Sequence, residues 1–229
     1  MAETTGSLKQ FTQFGDEVAK SKVVMTRNLG PLDKIVSNGN LAMTTFYQQF
    51  RAGERQPEDN KWDRTREAAD STINPHYHDQ LHFAALSLDG IGVKYYGSFH
   101  VEFKEHVIEQ RSSVFEENPS LFLKKHAIVV GDLPPRGYRA DWQSRHLLAQ
   151  AKLYAQITSA TKVETYPAIL MDQRDGFDAD FVEVHIFGSL NRNSISKVIA
   201  TTLPKGPERH IWRNVKRHLE NIGVEVEEQ

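Results

Sequence analysis

Three histidines close in sequence, His76, His78 and His82, are one group of residues whose types and spacing suggest chemistry. An H-x-H pair on a strand puts both imidazoles on one face, a spacing used by metal sites, and Asp79 or Asp89 would complete a ligand set. That pattern would suit a metal-dependent hydrolase. Pro75 directly before the pair argues against a regular strand there, and hydrogen-bonded or surface histidines are the plainer explanation. A second group is dispersed. Arg27 ends the apolar run Val23-Val24-Met25-Thr26, Ser112 and Ser113 precede Val114-Phe115, and Glu183 sits within Phe181-Val182-Glu183-Val184-His185-Ile186-Phe187. Singly, each has an ordinary explanation: a surface arginine, a turn, and an exposed residue on a strand whose Val182 and Val184 face inward. Arg209, Arg213, Lys216 and Arg217 share much of one face of the last helix, which suits solvent or a phosphate-rich partner.

Composition narrows the options. The chain has 229 residues, 39% hydrophobic and 25% charged, which is globular composition and enough length for one domain over 1–229 with a proper core. With 28 Lys+Arg against 30 Asp+Glu there is no bulk charge to drive binding to nucleic acid or membrane. The absence of cysteine excludes thiolate zinc sites and cysteine nucleophiles. No run approaches the ~18 apolar residues of a membrane span. No basic and then apolar leader is visible, so cytoplasmic synthesis is expected, with delivery by a route that reads other signals left open.

The elements that must position these residues follow from periodicity. Leu8, Phe11, Phe14 and Val18 predict an N-terminal amphipathic helix within 1–21, and Val23 to Met25 a short strand. Leu32, Ile35 and Val36 predict a helix opened by Pro31 and closed at Asn38-Gly39. Residues 51–75 read as a surface insertion, with a short helix from Trp62 to about Asp70. Phe99, Val101 and Phe103 alternate as a half-buried strand, and further strands are expected at Ala127 to Val130, Val163 to Met171 and Phe181 to Phe187. Arg139 to about Ala160 reads as the longest helix, Ile195 to Ile199 as a short one, and Glu208 to Asn221 as the last, followed by a frayed acidic tail at Glu225, Glu227 and Glu228. Without a regular βαβ rhythm, the class is α+β.

Three pieces in order resemble the ADP-ribosyltransferase superfamily. Val23-Val24-Met25-Thr26-Arg27 with Leu32 to Gly39 resembles the family's first strand, ending in arginine and leading to a helix that stops at glycine. Tyr95-Tyr96-Gly97-Ser98-Phe99 with Arg111-Ser112-Ser113-Val114-Phe115 is similar to its tyrosine–glycine strand and serine segment. Phe181 to Leu190 is similar to the strand that presents a glutamate. The resemblance spans residues 23–199 and implies a split β-sandwich of two small sheets, with flanking helices and one NAD cleft.

It further implies an enzyme of the bacterial toxin or effector kind that consumes NAD. ADP-ribose would pass to a macromolecular acceptor, protein or nucleic acid, or to water, and an immunity or inhibitor protein would be a possible partner. Breaking the nicotinamide–ribose bond passes through an oxocarbenium-like ribose, which a carboxylate stabilises. Glu183 is the candidate for that carboxylate. Arg27 would grip the diphosphate, since a planar, permanently charged fork suits paired oxygens. Ser112, with Ser113 behind it, would orient the glutamate, and Tyr96 or Phe115 would lie against the nicotinamide ring. Two departures stand out: Phe181 occupies the place where members that modify arginine or asparagine carry Glu or Gln, and the serine segment is Ser-Ser-Val. The alternatives are the histidine-based hydrolase and a domain of the same fold that binds without turnover.

Overall fold

A computed structural model describes residues 6–39, 41–53, 61–129, 131–174 and 179–229. Among them the order is α1 (Leu8–Val18), β1 (Lys22–Arg27), α2 (Leu29–Ser37), α3 (Phe46–Arg51), α4 (Lys61–Ile73), β2 (Leu81–Ser87), β3 (Phe99–Phe103), α5 (Glu105–Ile108), β4 (Ser112–Phe115) and α6 (Pro119–Lys125). There follow β5 (Arg139–Asp141), α7 (Arg145–Leu153), α8 (Tyr166–Leu170), β6 (Met171–Asp172), β7 (Asp180–Phe181), β8 (Glu183–Phe187), β9 (Ile195–Ala200), α9 (Glu208–Asn221) and β10 (Glu225–Glu228). The class is α+β, as composition and pattern predict.

Eight strands form one hydrogen-bonded sheet in the order β10-β9-β3-β1-β2-β8-β4-β5, and β6 pairs with β7. The pairing of β1 with β2 covers only Lys22↔Ser87, Val23↔Leu86 and Val24↔Ala85. Beyond it the strands part. β1 continues on β3 through Met25↔Val101, Thr26↔His100 and Arg27↔Phe99, while β2 continues on β8 through Ala84↔Val184, Phe83↔His185 and His82↔Ile186. The sheet is therefore two four-stranded halves joined by a short seam and forked at one end, which is the split that the sequence resemblance implies.

Period-two alternation explains why both faces are buried. Val23, Met25, Ala84, Leu86, Val114, Val184 and Ile186 face the main core, with Phe14 and Val18 of α1, Leu32 and Val36 of α2, Leu148 of α7 and Trp212 and Val215 of α9. The opposite face is covered by α4 and α6, where Ala69, Ile73, Phe122 and Leu123 pack on Phe115. A second small cluster joins Ala85, Val93, Met171 and Phe181. With a core on each side, a strand's alternate residues do not face water. Glu183 is for this reason only 2% exposed, contrary to the ordinary expectation for an alternating strand.

Several local expectations are corrected. Residues 61–73 form a helix whose C-terminal turns bury Ala69, Asp70 and Ile73, so that half of the expected surface insertion is a covering element, while 54–60 lie outside the described residues. Arg139–Asp141 is an edge strand and α7 ends at Leu153, so among the described residues the longest helix is α9, of 14 residues. Residues 127–129 form no strand, and residue 130 lies outside the described set. Val163 to Leu170 is helical because Pro167 sits in the first turn of α8, where it lacks no bond. Ile195 to Ala200 is a strand, since Ile195 and Val198 meet β3 across a bulge at Glu102/Phe103.

The acidic tail is ordered as β10, parallel to β9. Lys197 Nζ lies 2.8 Å from Glu225 and 2.7 Å from Glu227, and the Trp212 indole donates to Glu228 at 2.8 Å. Those partners are distant in sequence, so the run looks unattached when read alone.

Gly97 pins the open end of β1. Its φ is +140°, and a Cβ there would collide with the backbone carbonyl of Arg27. Gly97→Ala is expected to cost about 2–4 kcal/mol, because backbone must move at a site where L residues are already strained; urea denaturation measures it.

Candidate functional site

The fork opens into a cleft enclosing about 1000 Å³ together with its solvent-open mouth. Val24 to Arg27 form one wall and His82 to Ala85 the other; Phe46 and Arg66 close it from α3 and α4, with Tyr96, Phe181 and Glu183 also on its lining. Arg27 and Glu183 thus border one cavity, although they come from different halves of the sheet. Tyr96 borders it as well.

The serine and phenylalanine candidates sit differently. Register places Ser113 beside His185 and Phe115 beside Glu183, and Ser112 beside Ile186. Ser112 therefore projects to the main-core face, away from Glu183, and its buried Oγ has no hydrogen-bond partner among the described residues. The order of preference between the two serines reverses, because strand parity assigns neighbouring residues to opposite faces. Phe115 lies behind the cleft, stacked on the His185 ring at 5.8 Å.

Glu183 and His185 form a buried pair, with His185 Nε2 2.9 Å from Glu183 Oε1. Burial raises the Glu183 carboxyl to about 7, against the lowering pull of the Arg66 and Arg139 guanidinium groups. Burial likewise depresses His185, to about 3, and Arg139 adds to that effect. The ring is neutral at ordinary pH, so the contact is a hydrogen bond from an uncharged imidazole rather than an ion pair. Oε2 of Glu183 makes no hydrogen bond among the described residues.

Arg66 lines the cleft and is absent from the residues that the sequence singles out. Its guanidinium carbon lies 4.8 Å from the ring centres of both Phe46 and Phe83. Its Nε donates to Asp70 Oδ2 at 3.2 Å, and the Tyr47 hydroxyl donates to the same oxygen at 2.6 Å. Burial opposes the Arg66 charge, but the Asp70 and Glu183 carboxylates more than offset it. A usable signal was present: Arg66, Ala69, Asp70 and Ile73 are spaced i, i+3, i+4, i+7, so charged residues share a helix face with apolar ones.

The three histidines do not assemble. His76 lies in a turn and His78 begins a 3-10 turn over His78–Gln80, so the strand alternation needed to align an H-x-H pair is missing. His82 is on β2, where burial depresses it to about 4, with Arg27 and Arg111 adding to the effect. Among the described residues, Glu116, Glu117 and His126 have ligand atoms close enough to share an ion. Lys125 Nζ already sits 2.6 Å from Glu116 and 2.9 Å from Glu117, and this ammonium satisfies the two carboxylates.

Chemically, the cleft offers a carboxylate with one free oxygen, two arginines, a phenol and aromatic surface. Such a combination suits an elongated ligand bearing both anionic groups and a centre that becomes cationic in the transition state. Among the described residues no helix is long and apolar enough to cross a membrane. No protein-family model and no curated protein matches the sequence. Among solved structures, the chain is similar to DarT of Thermus sp. 2.9 in complex with NAD+, at 9% identity over 90% of this chain and 94% of that one, with a TM-score of 0.43.

Proposed function

We propose that the chain is an ADP-ribosyltransferase: it cleaves the nicotinamide–ribose bond of NAD and passes ADP-ribose to a macromolecular acceptor, protein or nucleic acid. The observation that carries this reading is the buried Glu183 carboxylate bordering the same forked cleft as Arg27 and Arg66. A carboxylate in a dry site stabilises an oxocarbenium-like ribose far more than it would in water. Arg27 and Arg66 supply the permanent positive charge that a diphosphate requires, Arg66 with its planar fork already held between two rings. Tyr96 offers an aromatic face for the nicotinamide, and Ser113 is a better placed companion to Glu183 than Ser112. A toxin or effector role, with an immunity partner, follows from the sequence resemblance.

The test is incubation of the purified chain with adenylate-labelled NAD in the presence of protein extract or nucleic acid. The expected result is nicotinamide release with label on one of the two acceptor classes. Free ADP-ribose alone would make the enzyme a glycohydrolase. NAD binding by calorimetry without turnover would reduce it to a binding domain, and neither binding nor turnover would end the proposal.

A further inference from the structure

The Glu183–His185 pair lies at the inner end of a hydrogen-bond chain that begins on the edge strand β5, outside the cleft lining. His185 Nδ1 faces two groups that can only donate: Arg139 Nη1 at 3.2 Å and the Asn74 side-chain nitrogen at 3.4 Å. The orientation of Asn74 is set in turn, since its Oδ1 accepts from Arg139 Nη2 at 2.8 Å. Arg139 is itself held, with Nη1 donating to Ser113 Oγ at 2.5 Å and its guanidinium 5.2 Å from the Phe115 ring centre. A neutral imidazole has one proton. With Nδ1 surrounded by donors, that proton is on Nε2, where it is given to Glu183 Oε1 at 2.9 Å. The ring plane is fixed by the edge contact with Phe83 at 5.2 Å and the stack on Phe115.

We propose that His185 is a positioning residue for Glu183: Arg139 and Asn74 lock it as the Nε2–H tautomer, and this N–H holds Oε1 so that Oε2 is left for the ligand in the cleft. The inference rests on the role given to Glu183 above. It extends that role to the residues behind the carboxylate, His185 holding Glu183 and being held in turn by Arg139 and Asn74. The other charged or titratable groups around the pair are Arg66 and Asp70 of α4, Tyr96, and Tyr47 through Asp70.

The experiment follows the Glu183 carboxyl directly, independently of turnover. The full chain is labelled with glutamate carrying ¹³C at the side-chain carboxyl, and the Glu183 signal is assigned by its loss in Glu183→Gln. Removing a donor to the charged form raises a carboxyl pKa, so His185→Phe is expected to move the Glu183 midpoint up by about one unit. His185→Gln, which can donate from nearly the same place, should bring it back to within about half a unit. Arg139→Lys keeps the charge but not the fork; it should move the midpoint in the same direction as His185→Phe and carries the test if that variant fails to fold. In NAD cleavage, His185→Phe should lose about tenfold or more in kcat with little change in KM, and His185→Gln should regain most of it. A Glu183 midpoint that stays put in His185→Phe and Arg139→Lys overturns the positioning role, whatever the activity. A midpoint that moves in a chain that never cleaves NAD upholds the positioning role and sinks the NAD reading instead.

Discussion

Glu183→Gln is expected to abolish NAD cleavage, by about 10³-fold or more, and at the same time to raise the melting temperature at pH 8. The two effects share one cause. The Glu183 carboxyl is pushed to about 7 by burial, well above the 4.5 of a free side chain. Below about pH 4.5 both the folded and the unfolded chain hold this proton. Between there and about 7 the folded state keeps a proton that the unfolded state has lost, so this group's contribution to stability falls as pH rises. Above about 7 the carboxylate is charged and buried, at a cost of about 3 kcal/mol relative to an unshifted group. Glutamine has nearly the same shape and can still accept from His185, but it has no charge to desolvate. The stabilisation should therefore be present at pH 8 and disappear by pH 5 in parallel thermal melts. The activity of the natural chain should rise with pH and reach half its plateau near 7, since the charged form is the one that helps the ribose. A variant that lost activity and stability together would instead make Glu183 a structural residue.

Arg66→Leu should produce the largest loss of stability of any single change in the cleft, about 3–5 kcal/mol in urea denaturation. The argument is one of compensation. Asp70 is 1% exposed and shares Oδ2 between Arg66 and the Tyr47 hydroxyl, so removing the guanidinium leaves a carboxylate in apolar surroundings with one donor. Glu183 loses a neighbouring positive charge in the same step and should titrate still higher. The double variant Arg66→Leu/Asp70→Leu removes both halves of the pair and should recover much of the lost stability, while NAD affinity stays low because the cleft has lost one of its two arginines. If the single variant is as stable as the natural chain, the Arg66–Asp70 contact does not organise the cleft.

How much of this was legible in the sequence varies with the range of the interactions involved. Val23 to Arg27 and Phe181 to Phe187 carry strong local apolar patterns, and both are found as strands, or a pair of strands, that border the cleft. The choice of Ser112 over Ser113 turned on a one-residue difference in parity, which is set by pairing with β8 and has no local signature. Arg66, Asp70 and Asn74 were hidden in a polar stretch, where buried and solvated charges look alike until their partners are known. Arg139 had been assigned to a helix, yet it lies on a three-residue strand that exists because β4 offers it an edge. The tail at 225–228 was missed for the same reason: Lys197 and Trp212 attach it from elsewhere in the chain.

The seam between β1 and β2 ends after the pair Val24↔Ala85. That stopping point is a backbone decision, and it sets how deep the opening runs. Each further residue pair zipped together would shorten it by about 3.3 Å, the rise of one strand residue. Cargo size is thus governed by a ladder rung, whereas the side chains along the walls govern chemistry. The two properties can diverge independently: exchanging wall residues retunes what happens inside, and moving the rung changes what fits.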